Sequence, residues 1–302
     1  MASPELQMVV QMLRSRPAPA NPTVAEMRAG LEQMVGLFPP SPDVRLDTVV
    51  ADTVPAEWIA AGDVDERRTV LYLHGGGYVV GSINTHRDLA ARVSRECGAR
   101  VLLIDYRLAP EHPHPAAVDD AVAAYRWLLA QGCDPRRTTI AGDSAGGGLT
   151  VATLVALRDA GAQLPAAGVC LSPWVDLEGI GDSMTALAEL DPMVRKDGLL
   201  MMAAMYLGDL PATTPLAAPL HADLRGLPPL YIQVGKAETL LDDSVRLADR
   251  AREAGVDVLL EAWDDMIHVW QAFAPILPEG REAITRIGAY VRERTPSASR
   301  AA

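Results

Sequence analysis

The sequence has little positive charge and few aromatic side chains. It contains 27 Lys and Arg against 39 Asp and Glu, which gives a formal net charge of -12, and only two of its 302 residues are Phe. A negatively charged protein repels phosphate backbones, and bases need aromatic platforms on which to stack. We therefore expect no nucleic-acid partner.

The sequence also lacks a long hydrophobic run. The longest, at 198–208, is much shorter than the roughly 20 residues that a membrane-spanning helix requires. The N-terminal stretch carries Glu5 and has no apolar core, so it predicts neither a signal peptide nor a transit peptide. We expect a cytoplasmic protein with no membrane partner.

Cysteine is scarce as well. Cys97, Cys133 and Cys170 make an odd number and have no CxxC spacing, which favours reduced, structural thiols in a reducing compartment. A cysteine nucleophile is disfavoured because none of the three lies in a predicted strained turn. His112 and His114 have no carboxylate or thiolate ligands nearby in the sequence, so we predict no metal site.

Apolar strand-like runs alternate with amphipathic runs from about residue 45 onward. A glycine follows the helix and precedes the apolar run four times, as expected where the last turn of a helix leads into a buried parallel strand. The pattern predicts strands at 68–73, 100–106, 138–141, 168–174, 229–235 and 256–263. It predicts helices at 86–97, at 115–131, after the strand at 138–141 up to 160, at 241–254 and at about 280–294. The first four of these helices are followed by glycines 98, 132, 161 and 255. The predicted fold class is α/β, with a mostly parallel central sheet and helices on both faces.

Two segments depart from this alternation. Residues 1–45 are predicted to be helical and are rich in proline, and residues 180–218 are rich in Met and Leu. An insertion at the carboxyl ends of parallel strands would lie over the crevice where such sheets bind ligands. We interpret 1–45 and 180–218 as a helical cap and 46–179 and 219–302 as the catalytic domain. A helical insertion without a functional role is the alternative.

A GxSxG motif lies between a predicted strand and a predicted helix, at 142–146. Small residues around a central serine allow the strained turn of a nucleophile elbow, which exposes the hydroxyl at the edge of the sheet. Ser144 is therefore the candidate nucleophile. An ordinary glycine-rich turn, such as one that holds a phosphate, is the alternative, but neither a Walker lysine nor a GxGxxG spacing is present.

A second glycine-rich motif, HGGGY at 74–78, follows an earlier predicted strand. Glycines leave backbone N–H groups unobstructed, as a developing oxyanion requires. Such a loop is typical of an oxyanion hole that is completed by the N–H of the residue after the nucleophile, here Ala145. A plain glycine-rich turn is the alternative.

The order nucleophile, acid, histidine along the chain selects the other two candidates. Of the histidines after Ser144, His221 precedes the strand at 229–235 and comes too early, whereas His268 follows the last predicted strand. Glu238 lies just after the strand that ends at residue 235 and is the favoured acid. Asp242 and Asp243, where a helix begins, are the alternatives, with Asp242 the stronger of the two.

Together these motifs resemble the bacterial hormone-sensitive-lipase family, also called family IV. The resemblance extends from about 45 to 294 and rests on the strings HGGGYVVGS, YRLAPEHPHPAAVDD, GDSAGGG, SPWVDL and MIHVWQAF. It implies an α/β-hydrolase with a helical cap that hydrolyses short- to medium-chain acyl esters without a cofactor. It also implies that Gly76, Gly77 and Ala145 are the oxyanion donors, although which two of glycines 75–77 donate stays open. In the family the acid is usually the Asp of a D-P-L string, whereas here Glu238-Thr239-Leu240 occupies that place.

Several alternatives remain open from the sequence. An amidase or lactonase would use the same residues as an esterase. A non-catalytic small-ligand receptor is the other alternative, but the plant gibberellin receptors that resemble this family lack the catalytic histidine, and here His268 is present. The strand at 256–263 is a candidate surface for a homodimer, or it is covered within the chain.

The methionines and leucines of the second cap segment have two interpretations. Met side chains adapt to varied shapes, so these residues either line an acyl pocket or pack the cap against the main domain. The residues are Met193, Leu199, Leu200, Met201, Met202, Met205 and Leu207.

Overall fold

A computed structural model describes residues 2–15, 22–35 and 43–296. Parts of the expected N-terminal cap segment, at 16–21 and 36–42, lie outside the described residues. Within the described part of the chain, no helix is both long and apolar enough to cross a membrane.

The centre of the fold is an eight-stranded sheet with the order β1-β2-β4-β3-β5-β6-β7-β8. The pairings β1–β2 and β2–β4 are antiparallel and the remaining five are parallel. The strands are β1 (Val44–Ala51), β2 (Val54–Ala61), β3 (Asp65–Leu73), β4 (Ala99–Ile104), β5 (Thr138–Asp143), β6 (Ala167–Leu171), β7 (Leu230–Gly235) and β8 (Val258–Trp263). The predicted mostly parallel α/β architecture is confirmed.

Helices cover both faces of the sheet. They are α1 (Pro4–Arg14), α2 (Val24–Val35), α3 (Ile83–Cys97), α4 (Ala116–Ala130), α5 (Ala145–Asp159), α6 (Ser183–Ala186), α7 (Lys196–Leu207), α8 (Leu241–Glu253) and α9 (Pro278–Arg294). Apolar residues of α3 and α9 form one core with the sheet, and those of α4, α5 and α8 form the other. All four glycines that were predicted to end helices have a positive φ, between 55° and 85°.

The hairpin formed by β1 and β2 was not predicted as such. Most residues of β1 are exposed or half-buried, so this strand lacks the continuous apolar run by which the buried strands were recognised. The start of α3 also differs from the prediction, at Ile83 instead of residue 86. Ser82 caps the helix, and its hydroxyl accepts a hydrogen bond from the Thr85 N–H at 3.1 Å in a capping box.

The N-terminal helices and the 180–218 segment lie against the main domain. Leu6, Val9 and Leu13 of α1 pack on a cluster that includes Ile267 and Trp270, on either side of the candidate base. Ala203, Tyr206 and Leu207 of α7 join the larger core. β8 lies at one edge of the sheet, and its pairing in a homodimer stays a prediction.

Candidate active site

Ser144 lies in a sharp turn between β5 and α5. Its φ is 53°, in the left-handed region that a non-glycine residue rarely adopts. The turn requires glycine at 142 and 146, because the neighbouring backbone leaves no room for a side chain there. A Cβ at Gly142 would collide with the Gly146 carbonyl, and one at Gly146 with the Leu73 carbonyl. This is the geometry that a nucleophile elbow needs to present the serine hydroxyl above the sheet.

The candidate base, His268, is paired with the candidate acid, Glu238. The imidazole Nδ1 of His268 is 3.4 Å from Oε1 of Glu238, whose side chain is fully buried. The other carboxylate oxygen of Glu238, Oε2, accepts hydrogen bonds from the Ser172 hydroxyl at 2.8 Å and from the Gly235 N–H at 3.0 Å. The Ser172 hydroxyl in turn accepts a hydrogen bond from the Val269 N–H at 3.1 Å. Ser172 is therefore hydrogen-bonded both to the carboxylate of Glu238 and to the backbone of Val269, the residue after His268.

This environment raises the pKa of His268 above its ordinary value. Burial acts to lower the pKa, but the hydrogen bond and negative charge of Glu238 outweigh it, with smaller contributions from the charges of Asp191 and Asp143. Asp191 belongs to the 180–218 segment, and its carboxylate accepts a hydrogen bond from the Thr239 N–H at 2.9 Å. That segment therefore also contacts the chain immediately after the candidate acid.

The glycine-rich loop after β3 has an irregular backbone. Gly76 and Gly77 have φ values of 118° and 60°, and both line the same cavity as Ser144. Gly75 differs, because its N–H already points to the imidazole Nε2 of His86 at 3.3 Å, and a Cβ there would collide with the Asp143 carboxylate. Ala145, the remaining candidate donor, is fully buried at the start of α5.

Asp143, next to the candidate nucleophile, packs closely against Gly75 at the start of this loop. Its carboxylate accepts a hydrogen bond from the Tyr72 hydroxyl at 2.9 Å and lies 3.3 Å from Nε2 of His86. Burial acts to raise the pKa of Asp143, but His86, Tyr72 and His74 together keep it below its ordinary value. Burial lowers the pKa of His74 to about 3, so this imidazole is neutral at pH 7.

Sequence reasoning assigned no role to Asp143, His86 or Ser172. Asp143 and Ser172 occur inside the GDSAGGG and SPWVDL strings, so the resemblance was the available signal for them. His86 had no such signal. Its importance comes from its contacts with Gly75 and Asp143, and neither the spacing of these residues nor their type predicts these contacts.

Ser144 and His268 open into one cavity of about 760 Å³. Three of the seven Met and Leu residues considered from the sequence line it: Met193, Leu199 and Met202. Met205 instead packs against the core, and Leu207 is buried there. The remaining apolar wall comes from Leu31, Val80, Leu89, Val194, Val269, Ala272 and Phe273.

The other candidates from the sequence lie elsewhere. The Asp242 carboxylate accepts a hydrogen bond from the Ser183 N–H at 2.9 Å, and the Asp243 carboxylate accepts one from the Val175 N–H at 3.0 Å. Nδ1 of His114 is 3.1 Å from the Tyr206 hydroxyl.

His221 belongs to a small acidic cluster outside the cavity. Its Nε2 is 3.4 Å from the Glu178 carboxylate, and Asp176 completes the group. These three are a set whose ligand atoms lie close enough to hold a metal ion. Asp176 is already paired with Arg246 at 2.6 Å.

Comparison with known proteins shows the family to which this chain belongs. A family model of the alpha/beta hydrolase fold matches residues 70–272. An acetyl-hydrolase of Streptomyces hygroscopicus is 47% identical over 98% of this chain and 98% of its own, and an esterase of Acinetobacter venetianus is 33% identical over 91% and 90%. A solved esterase from the bacterial hormone-sensitive lipase family is 55% identical, with a TM-score of 0.95 over 98% of this chain and 99% of that one. The chain therefore belongs to the bacterial hormone-sensitive-lipase family of carboxylic ester hydrolases, which have the α/β-hydrolase fold.

Proposed function

We propose that the protein is a serine carboxylesterase that hydrolyses short- to medium-chain acyl esters through an acyl-enzyme. The observation that carries the proposal is the convergence of Ser144, His268 and the glycine loop on one largely apolar cavity, with Glu238 behind His268. An apolar cavity with a few convergent polar groups suits a small ester.

In the proposed mechanism His268 takes the proton of the Ser144 hydroxyl as the oxygen attacks the ester carbonyl. The N–H groups of Gly76, Gly77 and Ala145 stabilise the negative charge that develops on the carbonyl oxygen. The imidazolium then protonates the leaving alcohol, and the acyl group stays on the serine. A water molecule, deprotonated by the same imidazole, attacks this second ester and releases the acid.

We also propose that residues 1–45 and 180–218 act as a helical cap over this cavity. Leu31 of α2 and Leu199 and Met202 of α7 line the cavity, so both segments contribute to its wall. A cytoplasmic location is part of the same proposal. Its support is that Cys97, Cys133 and Cys170 are all free thiols.

The first test is hydrolysis of p-nitrophenyl acetate, butyrate, octanoate and palmitate. We expect fast turnover of the short esters and weak turnover of palmitate, because the family resemblance implies short- to medium-chain substrates. The cavity of about 760 Å³ is large enough for such an ester. The matching p-nitroanilides are the control for amide hydrolysis. Faster turnover of anilides than of esters, or turnover of neither, would contradict the proposal.

Acyl-chain preference is expected to depend on Met202. This side chain packs directly on Gly77, where an added Cβ would collide with the thioether sulfur, and it lines the cavity. Met202→Ala removes this wall, so we expect the ratio of octanoate to acetate kcat/KM to rise about tenfold, as one or two added methylene contacts would give. Met205→Ala is the matched control, because Met205 packs on the core outside the cavity lining. Equal shifts in the two variants would show that α7 acts by packing alone.

The pH dependence of kcat/KM follows from the raised pKa of His268. The base must be neutral to accept the serine proton, so activity is lost as the pH falls through this pKa. A raised pKa moves that loss to higher pH. We expect the acid limb of the kcat/KM profile to have its midpoint above 6.5, the ordinary value for imidazole. A midpoint below 6.5 would contradict this prediction, because it would mean that burial lowers the pKa of His268 by more than Glu238 raises it.

A further inference from the structure

Four residues of the loop 75–81, which contains the glycine triplet, have a positive φ. Gly76, Gly77, Tyr78 and Gly81 have φ values of 118°, 60°, 62° and 98°. Tyr78 has a Cβ, so this conformation is intrinsically unfavourable for it and persists only where the surrounding structure holds it. The loop that presents the candidate oxyanion donors therefore needs external anchors.

Arg28 of α2 is such an anchor, and it acts through backbone carbonyls. Its Nε donates a hydrogen bond to the Val79 carbonyl at 2.9 Å, and its Nη2 donates one to the Ala109 carbonyl at 3.1 Å. The Val79 N–H donates to the Gly76 carbonyl at 3.1 Å, and the Ala109 N–H donates to the Tyr78 carbonyl at 2.9 Å. The Arg28 guanidinium thus joins the segment that directly follows the glycine triplet, at Val79, to the segment at Ala109 that is hydrogen-bonded to it.

Glu111 fixes the orientation of this guanidinium. Its two carboxylate oxygens accept hydrogen bonds from Nη1 and Nη2 of Arg28 at 2.8 and 2.7 Å. The Arg28 side chain is about one-third exposed. The planar fork of arginine can bind a carboxylate and two carbonyls at once, whereas an ammonium group cannot reproduce this arrangement.

Glu32, one helical turn after Arg28, also contacts the segment that follows the glycine triplet. Residues four apart on a helix lie on one face, and Glu32 follows Arg28 at this spacing. Its carboxylate accepts hydrogen bonds from the Ser82 hydroxyl and the Asn84 side-chain amide, each at 2.5 Å. One face of α2 therefore holds the segment after the glycine triplet at both ends, at 79 and at 82–84.

We propose that Arg28 is a positioning residue for the oxyanion hole. By holding the carbonyls of Val79 and Ala109, it keeps the loop in the conformation that directs the Gly76 and Gly77 N–H groups at the reacting carbonyl oxygen. The inference rests on the proposed esterase function. It gives α2 a role in transition-state stabilisation in addition to lining the cavity.

The test compares Arg28→Lys and Arg28→Ala with the parent enzyme on p-nitrophenyl butyrate. A shift of about 1 Å in a catalytic group can cost about a hundredfold in rate. We expect kcat to fall about tenfold in Arg28→Lys and about a hundredfold in Arg28→Ala, with KM within about twofold, because the donors act mainly on the transition state. Active-site titration corrects each kcat for the folded fraction.

The affinity for a trifluoromethyl ketone inhibitor distinguishes a positioning role of Arg28 from a general loss of stability in the variants. The Ser144 oxygen adds to its carbonyl carbon, the serine proton passes to His268, and the former carbonyl oxygen becomes an oxyanion in the hole. We expect its affinity to weaken by the same factor as kcat in each variant. Methylguanidinium at millimolar concentration should restore part of the Arg28→Ala activity, and methylammonium should not.

Arg14→Lys is the matched control. Arg14 of α1 also donates to a backbone carbonyl, that of Glu189 at 2.8 Å, but does not contact the glycine loop. We expect its kcat to stay within about twofold of the parent. Unchanged kcat in both Arg28 variants, or lost kcat without weaker inhibitor binding, would overturn the inference. Parent activity that does not depend on Ser144 would instead overturn the proposed function.

Discussion

Ser144→Ala is expected to lower kcat on p-nitrophenyl butyrate by about 10⁴-fold or more, to a residual rate that the oxyanion donors and substrate binding still support. The serine hydroxyl is the nucleophile that attacks the substrate ester in the proposed mechanism, and alanine cannot form the acyl-enzyme. The fold should be retained, because the contacts of residue 144 with its surroundings are made by the backbone. Its N–H donates to the Leu171 carbonyl at 2.8 Å, and its carbonyl accepts from the Trp174 N–H at 2.9 Å.

The measurement is kcat together with the free energy of unfolding in denaturant. We expect the unfolding free energy to change by no more than about 1 kcal/mol. Ser244→Ala is the matched control: Ser244 is buried in α8, and its hydroxyl has no hydrogen-bond partner among the described residues. It should leave kcat unchanged. Turnover by Ser144→Ala at more than a hundredth of the parent rate would contradict the assignment of the nucleophile.

Glu238→Gln is expected to lower kcat by about a thousandfold or more, through the tautomer of His268. The Gly235 N–H and the Ser172 hydroxyl both donate to Oε2 of Glu238, so the oxygen of a glutamine amide would take that position. The amide NH₂ would then face His268 and donate to Nδ1. This places the imidazole proton on Nε2, the nitrogen that has to accept the proton of Ser144, and it also removes the negative charge that stabilises the imidazolium.

Asp242→Asn is the matched control for the identity of the acid. Asp242 was the main alternative from the sequence, and its carboxylate accepts a hydrogen bond from the Ser183 N–H, which an asparagine oxygen can also accept. We expect kcat within about twofold of the parent and a small loss of stability from the lost charge at the start of α8. The reverse pattern, with activity lost in Asp242→Asn and kept in Glu238→Gln, would assign the acid to Asp242.

Much of the fold and the candidate site was predictable from the sequence because both depend on local patterns. Buried parallel strands appear as continuous apolar runs, which is why β3 to β7 were found within a few residues. β8 is exposed or half-buried throughout, but it still begins with the apolar run Val258-Leu259-Leu260. The candidates Ser144, Glu238 and His268 follow from a strained turn and from positions just after strands, and both are local features. In the structure Ser144 and His268 line one cavity and Glu238 lies behind His268, and the catalytic roles of these three residues stay a prediction.

The remaining features depend on contacts between distant parts of the chain. β1 was overlooked because it is mostly exposed, so no apolar run marks it. Arg28 contacts carbonyls 51 and 81 residues away, and a carbonyl acceptor is present in every residue type. Ser172 is one of many serines until the fold places its hydroxyl against Glu238. Apart from the SPWVDL string that contains Ser172, the sequence carries no signal for such contacts.

The packing of α1 has a consequence for the synthesis of the protein. Leu6, Val9 and Leu13 leave the ribosome long before Ile267 and Trp270, with which they form one cluster. These apolar side chains therefore lack those partners until synthesis has passed Trp270. Contacts of such large sequence separation form slowly, and exposed apolar surface promotes aggregation in the meantime. We therefore expect α1 to dock only after the segment that carries His268 has been synthesised, so that the N-terminal helix and this segment become ordered in the same late step.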